Sequence, residues 1–423
     1  MNFEYSLEFA QKLDKQDPLN GFREQFYIPK LKGKEAIYYT GNSLGLQPKK
    51  AATYIEQELK DWQELGVEGH FEGKRPWFKY HHYFTEHLAK LVGAKHHEVV
   101  SMNNLTVNLH LLFASFYRPG AKRYKILMEA GAFPSDMYMV ESQCKHHGLD
   151  YKDTVIEISP KLGEEYLRTE DILKKIQEHG EELALVFFSG VQYYTGQFFD
   201  IEKITAAAHQ VGAIAGFDLA HAMGNRPMQL HNWGVDFAAW CSYKYLNSGP
   251  GGVSGVYIHE KHGLDPETPR FAGWWGHKES VRFKMEKGFI PEPGAAGWQL
   301  SNAPVMSMAP HLASLEIFTE AGIYNLASKS DLLTSFTEFC IWEACKNNPN
   351  LEISVITPSL PDRAAQLSLK AGSKGKQLFD YLFEHGVIAD WREPEVIRIA
   401  PVPLYNTFQE SFQFATLLQN FLK

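Results

Sequence analysis

The sequence has too few cysteines for a fold built on disulfides. Its 423 residues include only four, Cys144, Cys241, Cys340 and Cys345. Cys340 and Cys345 lie five positions apart, with no second pair and no nearby histidine, so we expect no metal site. Because unpaired thiols are typical of a reducing compartment, we predict reduced cysteines and a cytoplasmic protein.

Long apolar runs and basic stretches are also missing. No stretch of about 18 apolar residues is present, so we expect no membrane span. The opening Met-Asn-Phe-Glu-Tyr-Ser-Leu-Glu lacks the apolar core of a signal peptide. The chain has 42 Lys and Arg against 50 Asp and Glu, a net charge of −8, and no sustained basic stripe. This balance argues against a nucleic-acid partner and against binding to anionic membranes.

A glycine loop for dinucleotides is absent as well. The run Gly249–Gly255 misses the G-x-G-x-x-G spacing by one position, and it precedes a strand instead of joining a strand to a helix. We expect these glycines to let the backbone pack close to the loop that carries Lys244.

What the sequence does contain is a regular alternation of strand-like and helix-like segments. Helical spacing marks 170–179, with Thr169 as the expected N-cap, and 201–211. Short, wholly apolar strands between such helices predict an α/β fold with a mostly parallel sheet covered on both faces. The predicted strands are 125–129, 154–158, 183–188, 213–217, 237–240 and 253–257.

The length suits more than one domain. We predict a helical and loop-like segment at 1–75 that joins a small domain, a large domain at 76–305, and a small α+β domain at 306–423. The elements expected in the last part are helices at 313–321 and 331–346 and strands at 353–356, 365–369 and 396–399.

Asp218 and Lys244 are the residues with the clearest chemistry. Asp218 ends one apolar strand and Lys244 follows the next, so both are expected at the carboxyl edge of the sheet, where open α/β sheets bind ligands. A lysine amine can bond covalently to the aldehyde of pyridoxal phosphate (PLP), and a carboxylate can keep the cofactor's ring nitrogen protonated. Taken singly, Asp218 could equally be a helix N-cap and Lys244 a surface amine.

Two further segments could complete a cofactor site. The loop before Thr106 enters a predicted helix, whose free amides would bind an anion, although any capped helix looks similar. In Phe133-Pro-Ser-Asp136 the aromatic ring could stack on a planar group, although a plain turn would have the same residues.

Five motifs in register resemble one family. They are Gly41-Asn-Ser-Leu-Gly45, Phe133-Pro-Ser-Asp136, Asp218-Leu-Ala-His221, Tyr243-Lys244 with its glycine-rich tail, and Gly273-Trp-Trp-Gly-His277. Together they resemble the kynureninases, PLP enzymes of the aspartate-aminotransferase fold, from about residue 40 to residue 405. The resemblance implies PLP as cofactor, and Lys244, Tyr243 and Asp218 as catalytic residues. The cofactor contacts that it implies are Leu105, Thr106, Phe133, Pro134, Ser135, Asp136, Ser189, Asp218, His221, Tyr243, Lys244, Trp274 and Asn302.

The resemblance also implies a substrate and a partner. The substrate would be kynurenine or 3-hydroxykynurenine, cleaved by water between Cβ and Cγ to alanine and an anthranilate, in tryptophan catabolism or NAD biosynthesis. Part of each site would come from a second copy of the chain, in a homodimer. His70 and Asn302 would favour the ring-hydroxylated substrate, but Trp275 stands where Phe is expected, so ring preference stays open. The substrate contacts that it implies are Ser43, His70, Trp275, Ser301 and Arg398.

Three different functions are also compatible with an aspartate and a lysine of this kind. A cysteine desulfurase needs a nucleophilic Cys on a mobile late loop, whereas Cys340 and Cys345 lie in a helical pattern. An aminotransferase uses the same pair of residues, and a catalytically idle PLP-fold binding protein could keep them. An idle protein is disfavoured by the retention of Lys244, Asp218, Tyr243 and Arg398 together.

Overall fold

The computed structural model describes residues 2–422, and a seven-stranded sheet lies at its centre. Most neighbouring strands run parallel, and only Gly255–Ile258 runs antiparallel to both of its neighbours. The predicted, mostly parallel sheet is therefore confirmed. Its strands are, in spatial order, Val99–Ser101, Gly255–Ile258, Phe237–Trp240, Ile214–Asp218, Leu183–Ser189, Lys125–Glu129 and Val155–Ile158.

Helices cover this sheet and build the rest of the chain. The α-helices are Leu7–Gln16, Ala51–Leu65, His82–Val92, Leu105–Phe116, Pro134–His146, Tyr151–Thr154, Thr169–Glu178, Ile201–Gln210, Glu260–Gly263, Val305–Ala321, Ile323–Asn347, Gly375–Glu384 and Phe408–Asn420. Short 3₁₀ turns lie at Asn20–Gln25, Gly66–His70, Trp77–Lys79, His96–Glu98, Arg282–Lys284, Ala295–Trp298 and Gly372–Lys374.

The sheet is apolar along its strands because both of its faces are buried. All four residues of Phe237–Trp240 are buried. Alternate residues point to opposite faces, and Ala238 and Trp240 pack into one hydrophobic cluster whereas Phe237 and Ala239 pack into another. Burial on both faces is the reason that this strand could be recognised as a continuous apolar run.

One helix start differs from the prediction. Thr169 is the first helical residue instead of the N-cap, and Arg168 holds the N-cap position without a side-chain hydrogen bond to the helix. The acidic residues Glu170 and Asp171 stand in the first turn, where negative charge stabilises the positive end of the helix dipole. The negative charges of these two residues thus stabilise the helix start, whereas a capping side chain was expected to do so.

A second sheet lies in the C-terminal part of the chain and is antiparallel throughout. Its strands are, in spatial order, Ser354–Val355, Leu367–Lys370, Val396–Ile399 and Asp390–Arg392. Ile37–Tyr38 pairs in parallel with Val387–Ile388, and Lys30–Leu31 forms a small hairpin with Lys34–Glu35. The helix Leu7–Gln16 shares a hydrophobic cluster with Phe408–Asn420. These contacts lie between the N-terminal 75 residues and the C-terminal part of the chain. The division of the chain into 1–75, 76–305 and 306–423 stays a prediction.

The cysteines are all free thiols, with Cys144, Cys241 and Cys340 buried and Cys345 half-buried. Between residues 2 and 422, no helix combines the length and apolar character that crossing a bilayer requires.

Candidate active site

The carboxyl edge of the large sheet brings Asp218 and Lys244 together. Asp218 ends the strand Ile214–Asp218, and its register partner Ser189 ends the neighbouring strand. Lys244 follows Phe237–Trp240 in a loop that packs on the N-terminal segment, where Gly45 donates its N–H to the carbonyl oxygen of Tyr243 at 2.8 Å. A Cβ at Gly45 would lie 2.3 Å from the carbonyl oxygen of Lys244. Glycine is therefore required at this close approach.

The glycines after Lys244 act in two ways. A Cβ at Gly255 would lie 2.5 Å from the Trp240 ring, and one at Gly252 would lie 2.2 Å from Ser248 Oγ, so these two permit the expected close packing. Gly249 and Gly251 have φ of +91° and +66° with open space around them. Backbone conformation, instead of packing, explains glycine at these two positions.

A cavity of about 260 Å³ lies at this edge. It collects most of the residues predicted for the cofactor, from five separate segments of the chain. Pro134 is not in the wall but begins the helix Pro134–His146 directly beside it. The predicted residues that line the cavity are Leu105, Thr106, Phe133, Ser135, Asp136, Ser189, Asp218, His221, Tyr243 and Lys244.

The Lys244 amine points into this cavity beside a neutral histidine. Its Nζ lies 3.0 Å from His221 Nε2 and 5.7 Å from the centre of the Phe133 ring. Burial, with the charge of Lys244 as a smaller cause, holds the pKa of His221 well below its usual range. His221 is therefore a neutral acceptor for the lysine, and no carboxylate in the described part of the chain lies within 4.0 Å of the amine.

Asp218 and Asp136 form a buried carboxyl pair. Burial raises the pKa of both, and the charge of Asp218 raises that of Asp136 further, whereas Lys244 lowers that of Asp218. Two adjacent carboxyls cannot both ionise easily, so one proton is shared. Asp136 is the carboxyl whose pKa is raised well above its usual range, and the charge of Lys244 opposes the rise at Asp218. Asp218 also accepts the N–H of Ala220 at 2.7 Å, which fixes its orientation.

Two helix N-termini meet at the wall of the cavity. Leu105–Phe116 and Pro134–His146 both begin there, and Thr106 Oγ1 lies 2.7 Å from Ser135 Oγ. Neither start has a side-chain cap among residues 2–422. Free amides at the positive ends of two helices, with two hydroxyls between them, are suited to a phosphate group.

Arg398 lies next to this cavity but is already paired. It is 1% exposed, and its Nη1 donates to the carbonyl oxygen of Tyr193 at 2.6 Å; Tyr193 itself lines the cavity. Its Nη2 donates to Asp390 Oδ2, which also accepts from Ser43 Oγ at 3.0 Å. The predicted substrate residues Ser43 and Arg398 thus meet through Asp390, a residue that the sequence did not single out.

The remaining predicted residues lie elsewhere. His70 and Asn302 line a separate cavity of about 430 Å³, and His70 packs edge-on against Trp77 at 5.5 Å. Trp275 is buried under the Arg282 guanidinium at 4.6 Å. Trp274 and Ser301 are exposed and line neither cavity. A single chain does not bring these side chains to Lys244.

Comparisons with known proteins identify the family. Residues 37–294 match the model for class-V aminotransferases, and residues 326–418 match that for the kynureninase C-terminal domain. The chain is 55% identical to the kynureninase of Flavobacterium johnsoniae over 99% of both chains. It is 51% identical to that of Myxococcus xanthus, covering 99% of this chain and 97% of the relative, and 46% to that of Nematostella vectensis, covering 98% and 93%. The chain belongs to the kynureninase family. It is accordingly a PLP-dependent enzyme.

Solved structures agree on the fold. The cysteine desulfurase CsdA of Escherichia coli superposes with a TM-score of 0.73 at 17% identity, covering 94% of this chain and 97% of that one. A cysteine desulfurase of Thermococcus onnurineus NA1 gives 0.72 at 18%, covering 92% and 94%. At these identities the likeness concerns the fold alone, and it confirms the predicted PLP-dependent transferase fold.

The cavity fits the cofactor of the kynureninase family on its own chemistry. It offers a primary amine without a carboxylate partner, a buried carboxyl whose ionised form is favoured by the charge of Lys244, and two open helix N-termini. These are the groups needed for an aldehyde, a protonated ring nitrogen and a phosphate, respectively.

Sequence reasoning missed Glu129 in this site. Glu129 ends the strand Lys125–Glu129 and lines the same cavity. Its Oε1 accepts from Ser189 Oγ at 2.6 Å and its Oε2 from Ser189 N–H at 3.2 Å. Its position at a strand's carboxyl end was visible in the sequence, and the rule that found Asp218 would have found it.

Glu129 also predicts a pH dependence of stability. Burial raises its pKa from 4.5 to about 7. Between these two values the folded cofactor-free chain keeps a proton that the unfolded chain loses, so the free energy of unfolding falls as pH rises through this window, by about 3 kcal/mol. Glu129→Gln cannot ionise and is expected to lack this part of the fall. Urea unfolding at pH 5 and pH 8 measures it.

The matched control is Glu64→Gln, which changes an exposed glutamate on the helix Ala51–Leu65. This variant should keep the pH dependence of the parent. If the free energy of unfolding of Glu129→Gln fell between pH 5 and pH 8 by as much as that of the parent, Glu129 would not retain a proton in the folded chain.

Proposed function

We propose that Lys244, Asp218, Tyr243 and Arg398 carry out the kynureninase reaction in this chain. The reaction is hydrolytic cleavage of the Cβ–Cγ bond of L-kynurenine or 3-hydroxy-L-kynurenine, giving L-alanine and the corresponding anthranilate. The observation that carries this assignment is the Lys244 amine, which faces the cavity without a carboxylate partner and shares it with Asp218 and the two helix N-termini.

PLP supplies an electron-accepting ring that stabilises negative charge on the substrate carbon next to the amino group. Lys244 moves the proton at that carbon, since its amine is the base that extends into the cavity. Asp218, fixed by the N–H of Ala220, keeps the ring nitrogen protonated. Neutral His221 accepts a hydrogen bond from the lysine and adds no competing positive charge.

Tyr243 is the proton donor for the bond-breaking step. Its side chain lines the cavity, and burial raises the pKa of its hydroxyl above the usual range, so it stays protonated near neutral pH. A protonated phenol can donate a proton to Cβ, the future methyl carbon of alanine, as the Cβ–Cγ bond breaks. Arg398 holds the α-carboxylate of the substrate, because a guanidinium donates to both oxygens of a carboxylate.

Product analysis tests this function. Purified PLP-loaded protein is incubated with L-kynurenine or 3-hydroxy-L-kynurenine, and alanine and the anthranilate are quantified. Equal amounts of both products from at least one substrate are expected. Failure with both substrates would refute the proposal, and the ratio of the two kcat/KM values would give the ring preference.

Cysteine desulfurase activity has little support despite the shared fold. Cys340 and Cys345 both lie within the helix Ile323–Asn347, and burial raises the pKa of both thiols. A nucleophilic cysteine needs a lowered pKa and an accessible position. We also propose a cytoplasmic location, which the free thiols support, and no nucleic-acid partner, which the net charge of −8 supports.

A homodimer with shared active sites forms the second part of the proposal. His70 and Asn302 have suitable groups for a substrate ring, but within one chain they line a cavity separate from that of Lys244. Trp274 is 49% exposed and Asn302 is also exposed. Exposed polar and aromatic groups of this kind are available to complete the cavity of a second copy.

Mixing two inactive variants tests this arrangement. One variant carries Lys244→Ala and the other carries both His70→Ala and Asn302→Ala. If His70 and Asn302 serve the partner's Lys244, mixed dimers contain one intact site, and an equal, fully exchanged mixture should regain about a quarter of the parent activity. This figure follows from statistical pairing of closed dimers.

The control mixes Lys244→Ala with Asp218→Ala, two residues of the same cavity. This mixture should regain no activity, because each cavity would lack one of the two groups. No recovery in the first mixture, with dimers verified by mass, would contradict shared sites.

A further inference from the structure

The guanidinium assigned to the substrate already holds a carboxylate of the protein. Arg398 and Asp390 are register partners on the antiparallel strands Val396–Ile399 and Asp390–Arg392. Their side chains therefore meet on the same face of the sheet. The Arg398 side chain is 1% exposed and that of Asp390 is 15% exposed. Their ion pair is thus largely shielded from water.

Asp390 has partners besides Arg398. Its Oδ2 also accepts from Arg392 Nη2 at 3.1 Å and from Ser43 Oγ at 3.0 Å. Asp390 would therefore keep two donors if Arg398 bound another carboxylate. Among residues 2–422, Arg398 has no second carboxylate partner, since its other partner is the neutral carbonyl oxygen of Tyr193. A buried cation without a counter-charge is strongly unfavourable, so Arg398 requires one carboxylate or another.

Arg398 also has an unused donor. Its Nε is buried and lacks a hydrogen-bond partner among the residues that the structure describes. Asp390 contacts the guanidinium through Oδ2. A free carboxylate that binds Nε and Nη2 together makes two parallel hydrogen bonds in place of one. The incoming pair is therefore the stronger, and it satisfies the buried Nε.

We propose that Asp390 is an exchangeable counter-carboxylate for Arg398. In the free enzyme Asp390 binds the Arg398 guanidinium. When the amino-acid substrate binds, its α-carboxylate replaces Asp390 on Arg398, while Arg392 and Ser43 keep Asp390 in place. The proposal rests on the proposed function, which assigns the substrate carboxylate to Arg398. One ion pair replaces another and no covalent bond changes. Asp390 therefore weakens the binding of carboxylate ligands and leaves ligands without a carboxylate unaffected.

The test compares L-alanine, the amino-acid product, with L-alaninamide, which lacks the carboxylate. Each is titrated into PLP-loaded protein, and binding is followed by the visible absorbance of the cofactor. Asp390→Asn keeps the shape of the side chain and removes its charge. In this variant we expect a Kd for alanine about tenfold below that of the parent, because alanine no longer competes with the Asp390 carboxylate for one charged hydrogen bond to Arg398. The Kd for alaninamide should be unchanged.

A matched control uses the same substitution away from the site. Asp380 lies in the helix Gly375–Glu384 and is 58% exposed, paired with Lys376. Asp380→Asn should leave both dissociation constants unchanged. An equal effect of this variant would mean that the loss of negative charge alone explains tighter binding, and it would overturn the proposal.

Arg392→Gln provides an independent measurement with the opposite sign. Without Arg392, Asp390 loses its alternative cation and stays on Arg398, so alanine should bind more weakly, by about tenfold. This variant decides the question if Asp390→Asn fails to fold. Unchanged alanine binding in Arg392→Gln would contradict the exchange.

Failure of the Asp390 exchange can be distinguished from failure of the assignment of Arg398 to the substrate carboxylate. Weaker or unchanged alanine binding by Asp390→Asn would mean that Asp390 fixes Arg398 in position and does not exchange. Arg398→Gln tests the underlying assignment, because it should abolish the difference between alanine and alaninamide. A preference for alanine that persists in Arg398→Gln would refute the carboxylate role of Arg398, and the exchange with it.

Discussion

Replacing Lys244 with alanine is expected to lower kcat for kynurenine hydrolysis by about 10⁴-fold, because the change removes both the covalent attachment and the base. Its Nζ is the amine that extends into the cavity between His221 and Phe133. The variant should fold normally, since the lysine has no carboxylate partner within 4.0 Å among residues 2–422. Steady-state kinetics together with the thermal midpoint measure both effects.

Lys90→Ala is the matched control for this change. Lys90 is 61% exposed and pairs with Glu86 one helical turn away, and an exposed pair of this kind contributes little to stability. Its loss should leave kcat within about twofold of the parent, a margin based on that small contribution. A Lys244→Ala enzyme that keeps more than about a hundredth of the parent kcat would contradict the role given to Lys244.

Replacing Asp218 with alanine is expected to reduce kcat by about 10³-fold, since a fixed charge that stabilises the reacting system is lost from a buried site. Cofactor binding should weaken much less, because the helix N-termini at Leu105 and Pro134 are untouched. The expected signature is a protein that still binds PLP but turns over slowly. Equilibrium dialysis of PLP and single-turnover kinetics measure the two quantities separately.

Asp218→Glu keeps the charge and is expected to retain more activity than Asp218→Ala. The thermal midpoint of the cofactor-free Asp218→Ala chain should not fall below that of the parent, because burial raises the pKa of this carboxyl and its ionised form is costly there. Equal kcat for Asp218→Ala and the parent would exclude Asp218 as the partner of the ring nitrogen.

The sequence was sufficient to predict the sheet and the edge that carries the candidate site. Phe237–Trp240 is buried on both faces, so its apolar run and bounds could be recognised without tertiary knowledge. Asp218 and Lys244 stand directly after such runs, and the rule about strand ends therefore brings them together. The position of Glu129 followed from the same rule, but its bonds to Ser189 depend on neighbouring strands that lie far apart in the chain.

Other features depend on tertiary pairing that single segments do not reveal. Asp390 meets Arg398 because of the register of two strands, and it meets Ser43 because residues 37–38 pair with residues 387–388. His70 and Asn302 are brought together by the folded chain from positions more than two hundred residues apart. No periodic pattern encodes such contacts. The resemblance to a family was the only signal for His70 and Asn302, and Asp390 had no signal in the sequence.

Borohydride reduction of the PLP-loaded protein, followed by mass mapping of its peptides, shows whether Lys244 binds the cofactor. Reduction fixes the cofactor on the lysine to which it is bound. We predict one cofactor per chain, attached to the peptide that contains Lys244, and loss of this label when kynurenine is present during reduction. A label on another lysine, or no label at all, would contradict this prediction.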